Sequence, residues 1–191
     1  MAFGRYYDNL VNNRFEVLSM RVLVAIEDKR FGKAIVDFLV AHQWQAGTMF
    51  RLVHVVEPSV VGDQVTAVYG NGVENEIVQE RLNEGSMMLN QMREQIQAKF
   101  GTACPVEVNV IKGHPHHAIL DIAEEWHSDM IVLGSHGRQG FTRFVLGSVS
   151  LAVVSHAQCT VTVVRLPRDS NVAAAQPSSD QAAKEKSTSR G

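Results

Sequence analysis

Four glycines, at 134, 137, 140 and 147, share one short stretch, GSHGRQGFTRFVLGS, with Arg138, Arg143 and Ser148. At Gly137 and Gly147 the missing Cβ lets the backbone come close to a ligand, so that amide N–H groups can point at an anion. Arg138 and Arg143 supply planar cationic donors suited to oxyanions. Ser148 is suited to N-cap a following helix, whose unpaired N–H groups and positive dipole end also favour negative charge. The chemistry these residue types predict is the holding of a phosphate.

The spacing separates this loop from two better-known phosphate loops. It reads Gly134, two residues, Gly137, nine residues, Gly147, then Ser148. No Gly-Lys-Ser/Thr follows, as a P-loop requires, and no GxGxxG dinucleotide fingerprint is present.

Other reactive side chains carry weaker signals. The run GHPHH holds His114, His116 and His117, and imidazole binds zinc, copper and nickel. No Cys, Asp or further His stands at a matching ligand spacing, and Pro115 suits the first turn of a helix, so a structural or solvent-facing role is expected and no metal site. Ser135 and His136 are adjacent, with no GxSxG elbow and no partner acid, which argues against nucleophilic catalysis. His54, inside an apolar strand, is expected at the core or its rim with a backbone partner. Lys29 and Arg30 either reach phosphates or simply cap the surface. Cys104 and Cys159 form no disulfide framework and no metal spacing, so two reduced structural thiols are expected.

The loop must be held by a strand before it and a helix after it. Met130 to Gly134 is a short apolar strand pattern, and a helix is expected from Ser148 to about Ala157. Upstream, Arg21 to Ile26, RVLVAI, suits a strand buried on both faces of a parallel sheet. Phe31, Ala34, Ile35, Phe38 and Leu39 recur at helical spacing, with Gly47 as the exit. Phe50 to Val56 is the second strand. Ser59 to Gly72 reads as a long loop, and from about Glu74 to Phe100 an apolar stripe marks a long helix stopped by Gly101. The methionines of that helix suit flexible core packing, and its Glu and Arg residues a solvated face. Val106 to Ile111 is a third strand, a helix carries Ala118 to Trp126, and Thr160 to Arg165 is a fifth strand. Strands alternating with helices imply an α/β sandwich with a mostly parallel sheet and right-handed crossovers.

The chain has 191 residues, 45% hydrophobic and 20% charged, with a net charge of −2. That suits one domain with extensions and gives no general reason to expect nucleic-acid binding. No stretch approaches the roughly 18 apolar residues of a membrane helix, and charges interrupt the amino terminus where a signal peptide carries its apolar core. No membrane association and a cytoplasmic location are therefore expected. Residues 1–19 read as an amino-terminal arm, 20–166 as the domain, and 167–191, rich in Ala, Ser, Gln and Lys, as a disordered tail.

The glycine spacing resembles the ATP-binding signature of the universal stress protein family, and the resemblance extends from about Arg21 to Arg165. Arg21 to Ile26 is similar to the family's first strand, His54-Val55 to the end of its second, and Gly113-x-Pro115 to the turn opening its third helix. The resemblance implies a Rossmann-like, adenine nucleotide alpha hydrolase-like fold. Its five-stranded, mostly parallel sheet has the order 3-2-1-4-5, with helices on both faces. The switch point then lies between strands 1 and 4, and ligands bind outside their carboxyl ends. Carried over by position, Gly137, Gly147 and Ser148 would hold the phosphates with Val149 and Arg138 beside them. Leu133 and Gly134 would line the nucleoside, and Val55 would meet the adenine. Glu27 stands where the family usually has aspartate, and its extra methylene shifts that contact or crowds the base, unless Asp28 substitutes by a one-residue slip.

The function implied is a regulatory stress-response module that binds ATP, with or without Mg2+, or a related adenine nucleotide. A homodimer through the fifth-strand edge and a further protein partner are expected with it. Two other readings stay open. One is a slow ATPase or phosphotransferase, for which no Walker-type Asp or Lys is evident. The other is a dimeric scaffold that binds no nucleotide.

Overall fold

The computed structural model describes residues 19–57, 71–135 and 146–166, with the side chains of 71–75 set aside. The amino-terminal arm, most of the loop expected at 59–72, the carboxy-terminal tail, and Gly137, Arg138, Gly140 and Arg143 lie outside the described residues.

Five strands, β1 (Arg21–Ala25), β2 (Met49–Val56), β3 (Val106–Lys112), β4 (Met130–Gly134) and β5 (Thr160–Val164), form one sheet in the order β3-β2-β1-β4-β5. All four pairings are parallel. The central strand pairs Val22 with Phe50 on one side and with Met130 on the other. The order expected from the family resemblance is the order observed.

Strand alternation divides the apolar residues between two cores. Val22, Val24, Leu52 and Val132 point to one face, where Ile35, Leu39, Leu89 and Ile96 cover them. Leu23, Ala25, Val53, Ile131 and Leu133 point to the other, against Ile119, Ala123 and Val153. Burial on both faces is why β1 and β4 carry no polar alternation.

Four helices supply those covers: α1 (Lys29–Ala41), α2 (Asn71–Phe100), α3 (Pro115–Glu125) and α4 (Ser148–His156). Asp28 caps α1, its carboxylate accepting from the Phe31 N–H at 2.8 Å. The end of α1 departs from expectation. It stops at Ala41, well before Gly47, with His42 in extended backbone. Side chains stand in for a glycine cap, because Trp44 Nε1 donates to the Leu39 carbonyl at 2.8 Å and the His42 ring meets the Phe38 carbonyl at 2.7 Å. Helix α2 begins at Asn71, so 71–72 are helical where a loop was expected. Gly101, at φ 57°, ends it as expected.

Candidate functional site

Each strand ends on the same side of a parallel sheet, and at the β1/β4 switch point the chain leaves in opposite directions. A cleft of about 1090 Å³ opens there. Its walls come from the end of β1 with the start of α1, the end of β2, the end of β4 and the first turn of α4. That volume is at the top of the range for small-molecule sites, about 300–1,000 Å³.

Seven of the nine residues singled out from sequence line this cleft: Glu27, Val55, Leu133, Gly134, Gly147, Ser148 and Val149. Gly137 and Arg138 belong to the segment outside the described residues. Glu27 is exposed just past β1, Leu133 is buried at the end of β4, and Val55 is half-buried against the α3/α4 core. Asp28 is committed to capping α1, which ties it to the helix rather than to Glu27's position.

The cap of α4 differs from expectation. Gly147 is the N-cap, in extended backbone at φ −61° and ψ 159°, with no side-chain cap bond, and its carbonyl accepts from the Leu151 N–H at 2.8 Å. Ser148 is the first helical residue and is exposed. An N-cap needs extended backbone, and Gly147 supplies it one residue earlier. The first-turn amides therefore have no acceptor within the helix and, among the described residues, no capping side chain, the arrangement that suits an oxyanion.

The base of the glycine-rich loop is closed by contacts that sequence did not reveal. Gly147 N–H donates to the Ser135 carbonyl at 2.8 Å, and Ser135 N–H donates to the Val164 carbonyl at 2.9 Å. The Ser150 hydroxyl donates to the Gly134 carbonyl at 2.7 Å. These bonds tie β4, β5 and α4 together around the loop's two ends. Ser135 and Ser150 are both buried. A serine near a helix start reads as a cap from sequence, and nothing local shows a partner sixteen positions away.

Helix α2 contributes a wall that sequence did not assign. Arg81, Glu84 and Met87 line the cleft, although Arg81 and Glu84 belong to the face read as solvated and Met87, expected with the other methionines in the core, is 74% exposed. Lys29 lines the cleft and Arg30 does not, which separates two cations that sequence left equivalent. His54, at the end of β2, sits half-buried with its Nδ1 2.8 Å from the Ile26 carbonyl, the backbone partner expected. The histidine run opens α3, with His114 at the N-cap, Pro115 in the first turn, and His114 Nδ1 3.6 Å from a Glu57 oxygen. Among the described residues no group of three or more His, Cys, Asp or Glu side chains is placed to hold a metal ion.

A parallel sheet wound on both faces, with a cleft at its switch point, defines a Rossmann-like α/β protein. The universal stress protein family model matches residues 19–165, and the chain belongs to that family. The universal stress protein Sll1388 of Synechocystis sp. is 28% identical over 154 residues, covering 76% of this chain and 97% of that protein. The solved UspA of Lactobacillus plantarum aligns with a TM-score of 0.61 at 24% identity, over 76% of this chain and 97% of its own. A universal stress protein solved in complex with cAMP aligns with a TM-score of 0.51 at 17% identity, over 78% of this chain and 98% of its own. These two likenesses are of fold. No helix among the described residues is long and apolar enough to cross a membrane.

Proposed function

We propose that this protein binds an adenine nucleotide, ATP with Mg2+ in the first instance, in the switch-point cleft and acts as a regulatory module of the stress response. The observation that carries the reading is convergence. Residues from four separate elements, named from the glycine spacing and the family resemblance, meet in one cleft beside the N-terminus of α4. In this reading the amides of Ser148 and Val149 take the phosphates at the Gly147 turn, together with Gly137 and Arg138 from the loop. Leu133, Gly134 and Val55 pack on the nucleoside, and Glu27 takes its polar edge. The cAMP complex of a fold neighbour supports the choice of an adenine nucleotide. The protein works as a cytoplasmic homodimer that pairs through β5, whose outer edge has no strand partner among the described residues.

The test is to denature freshly purified protein, identify any released nucleotide by chromatography and mass, and titrate the emptied protein with ATP and magnesium. Release or tight rebinding of ATP supports the reading, and so does loss of binding on changing Gly137 to a bulky residue in a protein that still folds. An empty protein that ignores ATP overturns it in favour of a scaffold. Phosphate release that depends on Glu27 would instead make it an ATPase.

A further inference from the structure

Helix α2 carries a glycine, Gly85, in its interior, where glycine costs about 1 kcal/mol relative to alanine. Gly85 is buried, and a Cβ there would lie 2.5 Å from Cδ2 of His54 and 3.2 Å from Cγ1 of Val110. The long helix is thus notched where the imidazole of β2 fits beneath it. A carbonyl oxygen cannot donate, so Nδ1 of His54 carries the hydrogen in its 2.8 Å bond to the Ile26 carbonyl. Ile26 is the residue directly after β1, and its own N–H donates to the Val53 carbonyl at 2.9 Å. Both backbone polar groups of Ile26 are therefore held from β2, one by a main-chain carbonyl and one by the histidine ring. The next residue is Glu27, and the one after it caps α1. His54, Gly85 and Glu27 all line the cleft.

From this we infer that His54 is a positioning residue for the nucleotide site. Its Nδ1–H fixes the end of β1 and with it the place from which Glu27 enters the cleft, and Gly85 is there to admit its ring. The inference rests on the nucleotide reading for its ligand, while its structural half stands without any ligand. The phosphate side of the cleft, built on α4, is separate from this device. Loss of His54 should therefore act through Glu27 and leave phosphate contacts in place.

The test uses the full chain. Asparagine can present an amide N–H close to the position of Nδ1, whereas leucine cannot, so His54→Asn is the rescue and His54→Leu the loss. Without nucleotide, amide hydrogen exchange is followed at Phe31 and Gly32, whose N–H groups bond Asp28 just past the held carbonyl. His54→Leu should speed that exchange about tenfold, the equivalent of one lost hydrogen bond, and His54→Asn should restore it. With ATP, His54→Leu should weaken binding about tenfold alone and add little on top of Glu27→Ala, the signature of residues acting in series. Gly85→Ala, which crowds the ring without removing it, should reproduce the exchange effect if His54→Leu does not fold. Unchanged exchange in these variants, or independent and additive losses in the cycle with Glu27→Ala, overturns the inference. If the wild-type protein binds no ATP, the nucleotide reading fails, and the exchange experiment still decides the role of His54.

Discussion

Gly134 ends β4 on the floor of the cleft, and the structure defines what a larger residue would meet there. An alanine Cβ at this position would lie 2.6 Å from Cδ1, 2.9 Å from Cγ and 3.3 Å from Cβ of Phe31. Phe31 is only 6% exposed, and because its own Cβ is also close, turning the ring cannot relieve the clash. The first turn of α1 must shift instead, against its cap at Asp28. Overpacking of this kind costs about 1–3 kcal/mol. The lower entropy of an unfolded chain with alanine returns about 0.4–1 kcal/mol. Gly134→Ala should therefore destabilise the protein by about 1–2 kcal/mol, which for a chain of this size lowers Tm by roughly 2–8 °C. The assay is urea unfolding followed by the fluorescence of Trp44 and Trp126, with a thermal scan beside it. Phe31→Ala removes Cγ and the whole ring and leaves only the Cβ at 3.3 Å, so in that background Gly134→Ala should cost less than about 0.5 kcal/mol. A Gly134→Ala protein that unfolds at the wild-type midpoint, or that loses as much stability in the Phe31→Ala background as with Phe31 in place, would refute the reasoning.

Asp28→Ala should cost about 1 kcal/mol through loss of the α1 cap, read as a lower urea midpoint with an unchanged slope. Lys29→Ala should weaken ATP roughly two- to fivefold and AMP less, as one solvent-exposed cation facing the extra phosphates would, by titration of the emptied protein. Burial pushes the thiols of Cys104 and Cys159 above the ordinary 9.0, and the Asp129 carboxylate adds to the rise at Cys159. Each folded thiol then stays protonated past the pH at which the unfolded one ionises. Their contribution to stability is whole below pH 9.0 and is lost as the pH rises through the raised folded values, which urea midpoints across that window would record. Asp129→Asn should speed thiol labelling of Cys159 at pH 8 by withdrawing one source of that rise, and an unchanged rate would count against the assignment.

Much of this fold was legible because its strands are short, apolar and bounded by breakers. Every strand lies within about a residue of the pattern that marked it, and the order of the sheet is the one implied by the family it resembles. The cleft was legible for the same reason, since strand ends at a switch point converge whatever the loops do. What escaped was tertiary. The end of α1 is closed by Trp44 and His42 reaching back to carbonyls, a device with no glycine to announce it. The choice between Gly147 and Ser148 as cap turns on one backbone angle, and both are good capping residues. The α2 wall was hidden because Arg81 and Glu84 are exposed, and an exposed charge on a helix looks the same over solvent as over a cleft. The use of Gly85 appears only once His54 is seen beneath it.

The central strand has a further consequence, for the birth of the protein. β1 is made before the other strands of its sheet, yet its β4 partner lies far along the chain, with Val22 paired to Met130. During synthesis at about 5–20 residues per second, the three-stranded half β3-β2-β1 can assemble while the β4-facing edge of β1 waits roughly 5–20 s for its neighbour. That edge carries Val22, Leu23 and Val24, all fully buried in the finished sheet. An unpaired apolar edge of this kind is a template for aggregation. The nascent chain is at its most vulnerable in that interval, and a chaperone that shields it would have to act before residue 130 leaves the ribosome. The cleft, whose floor is β1 beside β4, consequently comes into being only after the three-stranded half of the sheet is already made.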